Sequence, residues 1–293
     1  MSSEPLELQS VSEDVARLRR ERPHARAFID PFVGLLLARP GLVDKLVETA
    51  RRTPDTPPDT SRLALGASLE TREALPLNEA TVRRVFDALH QVLTQGFPAV
   101  RTDLLNIGLV AMHKEGFLLE MVRDTVADRG KFVLRTAHAL GVEAKSLSFW
   151  CMQMLAPIAM ARGRVLKPFV EGATWNRGYC PVCGSWPSRS RVKDGVREMT
   201  CSFCATTWRF TAPQCPFCDA VGFRGQVYAI PGFPTERVVV CQRCNHSLAE
   251  IEGDPWPGMS PEVAALALVP LELLARQQGH TPAGMDWRQT SWT

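Results

Sequence analysis

The sequence carries little net charge. Its 34 Lys and Arg nearly balance 31 Asp and Glu, leaving +3 over 293 residues, which argues against a protein whose main task is to coat nucleic acid. Long apolar runs are missing too. The most apolar stretch, 147–161, is interrupted by Gln153 and Pro157 and is too short to span a bilayer. Near the start stand Glu4, Glu7, Glu13 and Asp14 rather than a basic segment leading into an apolar one. The reading is of a cytoplasmic protein with no secretion or twin-arginine signal and no membrane insertion. Catalytic signatures are lacking as well. His113 is followed by Lys114-Glu115, which is not the H-E-x-x-H of a zincin, and no phosphate loop, nucleophile motif or acid/base pair stands out. The expectation is that the chain is not an enzyme. Cysteine is scarce at first, with only Cys151 among residues 1–179.

Eight further cysteines then fall between positions 180 and 244, in four C-x-x-C pairs: Cys180/Cys183, Cys201/Cys204, Cys215/Cys218 and Cys241/Cys244. Two residues between cysteines let both sulfurs of one turn face one ion, and two such turns complete a tetrahedral four-thiolate cage. Four turns suffice for two cages. Spacing suggests which turns combine: 17 residues separate Cys183 from Cys201 and 22 separate Cys218 from Cys241, against 10 between Cys204 and Cys215. The longer gaps suit hairpins that return to a metal, and the short one suits a connector. We therefore expect one site of Cys180, Cys183, Cys201 and Cys204 and another of Cys215, Cys218, Cys241 and Cys244, each closing a short loop. An interleaved pairing of first with third and second with fourth is the alternative.

Disulfides are a competing use of paired cysteines, but they belong chiefly to small secreted domains, and here the pairs are confined to residues 180–244 of a long chain. Thioredoxin-like redox pairs compete too, yet four copies at ribbon-like spacing favour metal. Tetrahedral thiolate sites suit zinc and iron alike. Cys151, amid apolar neighbours, reads as a small buried hydrophobe. His90, His113 and His138 read as structural, and His246, two residues past Cys244, as a rim residue beside a cage that already has four sulfurs.

Residues 1–170 read as helical. Ser10 with Glu13 suggests a capping box opening a helix that ends near Pro23. Asp30-Pro31 starts a second helix that Pro40-Gly41 stops, a third follows over 42–52, and 53–60 form a proline-rich loop. Apolar periodicity from Asn78 ends at Gly96, and further helices are expected over 104–112, 117–126 and 132–140. An all-round apolar helix from Ser146 takes the centre of the bundle. The cysteine region reads as short strands, with 226–230 and 237–240 as hairpin arms and 248–251 as a closing strand. Ser260 and Pro261 open a last helix that Pro270 kinks. The polar tail carries Trp287 and Trp292. The fold class is thus α+β, with an N-terminal helical bundle (1–170), two tandem rubredoxin-like or zinc-ribbon-like modules (171–212 and 213–256), and a C-terminal helix and tail (257–293).

The helical domain, then Gly178-Tyr179-Cys180-Pro181-Val182-Cys183-Gly184-Ser185, Cys201-Ser202-Phe203-Cys204 with Trp208, Cys215-Pro216-Phe217-Cys218 and Cys241-Gln242-Arg243-Cys244 together resemble the formate dehydrogenase accessory protein FdhE family over nearly the whole chain. The resemblance implies a cytoplasmic maturation factor. It would bind two metal ions, iron favoured and zinc open, and contact the catalytic subunit of formate dehydrogenase without turning over formate. A homodimer is left open. One departure is that Asp219 and Asn245 follow Cys218 and Cys244 where Gly184 follows Cys183, which leads us to expect a less regular second cage. Arg177, Arg189, Arg191, Lys193, Arg197 and Arg209 cluster around the first cage, where they could balance thiolate charge, bind an acidic partner or form a solvated surface. The first function expected is assembly, a metal-stapled platform docking an immature subunit. An iron–thiolate redox protein acting in cofactor insertion or reductive activation is the alternative. A nucleic-acid-binding zinc ribbon is the third, disfavoured by the charge balance.

Overall fold

A computed structural model describes residues 6–51, 57–127, 130–211, 213–221, 225–282 and 284. Residues 53–56 of the expected 53–60 loop, and both Trp287 and Trp292, lie outside them. The helices are α1 (Leu6–Glu21), α2 (Arg26–Ile29), α3 (Val33–Arg51), α4 (Ser61–Ala64), α5 (Glu79–Gly96), α6 (Arg101–His113), α7 (Phe117–Val126), α8 (Gly130–Leu140), α9 (Ala144–Leu166), α10 (Pro261–Ala264) and α11 (Val269–Gln277).

Local chemistry accounts for several of these bounds. The Asn78 side chain accepts a hydrogen bond from the Thr81 N–H at 2.9 Å, capping α5. Val82, Val85, Phe86, Leu89 and Leu93 then bury one face of that helix. At its end Gly96 touches the Pro31 carbonyl so closely that a Cβ would lie 2.6 Å from the oxygen. Helix α9 is buried all round from Phe149 to Gly163, as a bundle centre should be, and α3, α5, α6, α7 and α8 pack around it. Phe97 joins the layers, with Phe32 edge-on at 5.0 Å and Phe149 at 4.8 Å. No helix among the described residues is long and apolar enough to cross a membrane.

Three expectations need correction. Ser10 does not open α1, which is already helical from Leu6. Pro40-Gly41 does not end a helix, because α3 runs through both. Proline there removes one backbone hydrogen bond, but Leu35, Leu36, Leu42, Val43 and Leu46 on either side are all buried, and that packing holds the two halves together. Pro270 is the second residue of α11, not a kink within it, and the break is the tight 3-10 turn Ala265–Leu268 that precedes it.

Among the described residues seven strands make one sheet: β1 (Pro187–Lys193), β2 (Val196–Cys201), β3 (Thr207–Phe210), β4 (Gln226–Ile230), β5 (Phe233–Val240), β6 (His246–Glu252) and β7 (Thr281–Pro282). The order is β3-β2-β1-β6-β5-β4, with β7 added at the start of β6. The first cysteine ribbon supplies β1–β3 and the second β4–β6, each set antiparallel. The two sets are fused by the parallel pair β1–β6, in which Arg189 faces Ala249 and Val192 faces Glu252. The expected hairpin exists, but its second arm starts at Phe233 rather than 237, because Pro231-Gly232 alone makes the turn, with Gly232 at φ 86°. On the C-terminal side, α11 packs on β4, β5 and β6.

The sheet contains a buried carboxylate. Glu250 on β6 is fully buried and accepts hydrogen bonds from Ser190 Oγ (2.8 Å), Arg197 Nε (3.0 Å) and Arg237 Nε (2.8 Å). Its donors come from both ribbons, so the seam between them is closed by a satisfied ionic network.

Candidate metal centre

Each C-x-x-C folds into the same turn. The N–H of the first cysteine donates to the carbonyl five residues on: Cys180 to Ser185 (2.9 Å), Cys201 to Thr206 (2.9 Å), Cys215 to Ala220 (3.0 Å) and Cys241 to His246 (3.0 Å). In three of the four turns the residue after the second cysteine donates back to the first: Gly184 to Cys180, Asp219 to Cys215 and Asn245 to Cys241. All four of these following residues take left-handed backbone, with φ of 71° at Gly184, 58° at Ala205, 55° at Asp219 and 60° at Asn245. The expected irregularity of the second cage is therefore absent from its backbone. Asp and Asn enter this region at little cost, and the strained member is Ala205 in the first cage.

The turns assemble sequentially, and the interleaved alternative is not formed. Cys180, Cys183, Cys201 and Cys204 make one cluster and Cys215, Cys218, Cys241 and Cys244 the other, with the sulfurs of each within 4.8 Å of one another. In the first, Cys180 and Cys204 sulfurs are 3.7 Å apart and Cys183 lies 3.5 Å from both Cys201 and Cys204. In the second, Cys215–Cys244 and Cys218–Cys241 are each 3.8 Å apart. A tetrahedron with metal–sulfur bonds of about 2.3 Å has edges of about 3.8 Å, whereas a disulfide needs about 2.05 Å. The donor set and its geometry fit a tetrahedral divalent ion. Backbone N–H groups also point at the sulfurs, Phe203 at Cys201 and Phe217 at Cys215, both at 3.4 Å, as charge-bearing thiolates require.

The electrostatics agree. Burial pushes the Cys180 and Cys201 thiols well above their ordinary range, while contacts from Cys180, Cys201 and Cys204 hold Cys183 well below it. In the second cluster burial raises Cys215. Burial also opposes ionisation of Cys241, but N–H groups of Cys244 and Arg243 and the sulfurs of Cys215 and Cys244 outweigh it and bring that thiol to about 7. Four sulfurs that cannot share negative charge among themselves make a donor set that a cation at their centre would balance.

The clusters differ in setting. All four sulfur-bearing residues of the first are buried, whereas Cys218 and Cys244 of the second are half-exposed. The helical body covers the first. Gly163 of α9 abuts Cys204, where a Cβ would meet the Cys204 carbonyl oxygen at 2.5 Å. Leu69 and Glu70 donate their N–H groups to Pro181 and Val182 within the first turn, both at 2.9 Å, and Tyr179 Oη donates to the Gly66 carbonyl at 2.5 Å.

Other sequence candidates fall elsewhere. Cys151 is fully buried in α9, its thiol pushed up to about 12 by burial, and takes no part in either cluster. His246 lies beside the second cluster with its ring 5.4 Å from that of Phe217. The basic cluster is partly internal: Arg197 pairs with Glu250 and Arg191 with Asp254, while Arg209 is exposed. Three residues that seat the cages (Glu70, Gly163 and His280) escaped the sequence reading, since each acts across long chain separations. A glycine inside a continuous apolar helix, as at Gly163, was the one available hint.

Comparison with known proteins agrees with this layout. Residues 179–211, which hold the first cage, match the model of the FdhE central domain. An FdhE homolog of Aquifex aeolicus is 30% identical over 145 residues, covering 47% of this chain and 50% of that protein. One from Actinobacillus pleuropneumoniae is 24% identical over 226 residues, covering 74% and 70%. The matched stretch thus spans about half the length of the Aquifex relative. In fold, the crystal structure of the FdhE protein from Pseudomonas aeruginosa superposes with a TM-score of 0.58 at 18% identity, over 99% of this chain and 98% of that one. At its first cage the chain is thus similar to the FdhE central domain, over part of its length to FdhE homologs, and in fold to an FdhE protein.

Proposed function

We propose that the chain is an accessory protein in the maturation of formate dehydrogenase, acting in the cytoplasm by binding rather than by turnover. Its helical body (1–170), two metal modules (171–212 and 213–256) and C-terminal segment (257–293) provide a platform that docks the immature catalytic subunit. Cys180, Cys183, Cys201 and Cys204 hold one ion and Cys215, Cys218, Cys241 and Cys244 the other, iron being favoured by the family resemblance. The observation that carries the reading is the pair of four-cysteine clusters built into one sheet, the first of them seated against α9. A bound ion supplies folding free energy, on the order of 10 kcal/mol per site by analogy with zinc fingers. Each domain-closing cage thereby fixes the surface offered to a partner.

The test is co-purification of tagged chain with the catalytic subunit of formate dehydrogenase from cells blocked in cofactor insertion, alongside formate oxidation in cells lacking the chain. Capture of the subunit, lost in Cys180→Ser, together with loss of formate oxidation is expected. Full formate oxidation without the chain would contradict the proposal. The half-exposed Cys218 and Cys244 favour one second reading, an iron–thiolate electron carrier, which requires a reversible one-electron reduction of the loaded protein.

A further inference from the structure

Resting on the reading that both clusters hold metal, we infer that the two sites are unequal: the first is a fixed staple, and the second is the site through which an ion enters and leaves, across the edge formed by Cys218 and Cys244. Three observations carry this. The first concerns access. In the first cluster Cys180 is fully buried and Cys183, the most accessible, is 8% exposed. Its two turns are covered by Gly163 of α9 and by the N–H groups of Leu69 and Glu70. In the second, the later cysteine of each turn is half-exposed and Asp219, Gln242 and Arg243 beside them are exposed or half-exposed. An incoming thiol or chelator can therefore add to the ion as a fifth ligand only at the second site before a protein sulfur leaves.

The second observation is how each site is anchored. The first is held against the helical core by Gly163, Leu69 and Glu70, whereas the last turn of the second is held by contacts at the surface, where local opening costs least. Asn245 ties its last turn to the C-terminal segment, donating from Nδ2 to the Gly279 carbonyl (2.8 Å) and contacting His280 Nδ1 through Oδ1 (2.6 Å), while His280 Nε2 meets Tyr228 Oη at 2.8 Å.

The third is a direct seam between the sites. Gly178, two residues before Cys180, lies against Pro216, one residue after Cys215, and a Cβ there would fall 1.7 Å from the Pro216 carbonyl oxygen. Across the same seam Tyr179, Trp186, Phe217 and His246 form a chain of ring contacts at 5.9, 5.8 and 5.4 Å. The first turn of the second cage is thus moulded on a surface that the first cage holds rigid. Loading is ordered accordingly, first site then second, and release runs in reverse.

The test uses the full chain loaded with zinc, challenged with a chromogenic chelator while exposed thiols are alkylated in pulses and mapped by mass spectrometry. We expect two zinc ions per chain, released in two phases of one each, with Cys215, Cys218, Cys241 and Cys244 alkylated at least about tenfold faster than Cys180, Cys183, Cys201 and Cys204. Cys218→Ser should abolish the fast phase and keep the slow one, and Cys183→Ser should lower zinc retention at both sites. Release in one phase, or earlier alkylation of the first four, overturns the inference while leaving two metal sites intact. Fewer than two zinc ions bound overturns the metal reading itself, and the inference with it. Because the alkylation order is read on the unaltered chain, the answer does not depend on any variant folding.

Discussion

Arg162 of α9 and Glu70, 92 residues apart in sequence, form an ion pair with side chains only 8% and 18% exposed. The guanidinium also donates to the Ala50 carbonyl at 3.2 Å, and Glu70 gives its own N–H to Val182 inside the first cysteine turn. One residue thus links the bundle's central helix to the first cage. Removing a single partner leaves a buried charge, at a cost of about 3–5 kcal/mol. Glu70→Ala should show that loss in urea unfolding, and the double variant Glu70→Ala/Arg162→Met should recover part of it. Equal stability of Glu70→Ala and the parent chain would contradict the link.

Gly163 lets α9 reach Cys204. Gly163→Ala forces a Cβ to within 2.5 Å of a backbone oxygen, so helix or turn must shift. A destabilisation of about 1–3 kcal/mol is expected, with weaker metal retention at the first cluster and little change at the second. Thermal unfolding with site-resolved zinc release measures both.

Ala205 and Asn245 make a matched pair of opposite sign. Both take left-handed backbone, but Asn245 adds side-chain bonds to Gly279 and His280. Ala205→Gly should stabilise the chain by about 0.5–1 kcal/mol. Asn245→Ala should cost about 1–3 kcal/mol, and chemical unfolding distinguishes them.

Much of this was legible in the sequence. The sequential pairing of Cys180–Cys204 and Cys215–Cys244 followed from loop lengths, and α5, α7 and α9 followed from apolar spacing. Pro40 misled because buried neighbours outweigh one lost hydrogen bond. The parallel β1–β6 pair and the Glu250 network escaped because neither leaves a local signal: Ser190, Arg197, Arg237 and Glu250 meet only once both ribbons have folded. Positive φ at Asp219 and Asn245 was not foreseen either, though both residue types tolerate it.

Acid should weaken the bundle through His90. Its ring stacks on Phe86 at 4.7 Å and rests against Gly108, and burial holds its imidazole below the ordinary 6.5. As pH falls below about 6.5 the unfolded chain takes up a proton that the folded chain resists, so stability is full above that value and declines beneath it. Between pH 7 and 5.5, His90→Gln should lose less stability than the parent chain. Identical losses would contradict the assignment.

The claim at the centre is that eight cysteines form two tetrahedral metal sites. Metal content per chain, with a visible spectrum, on protein purified without oxygen tests it most directly. Two ions per chain are expected, falling to one in Cys218→Ser, with thiolate-to-iron charge-transfer bands if the ion is iron and none if it is zinc. Fewer than two ions per chain, or two ions retained in Cys218→Ser, would contradict it.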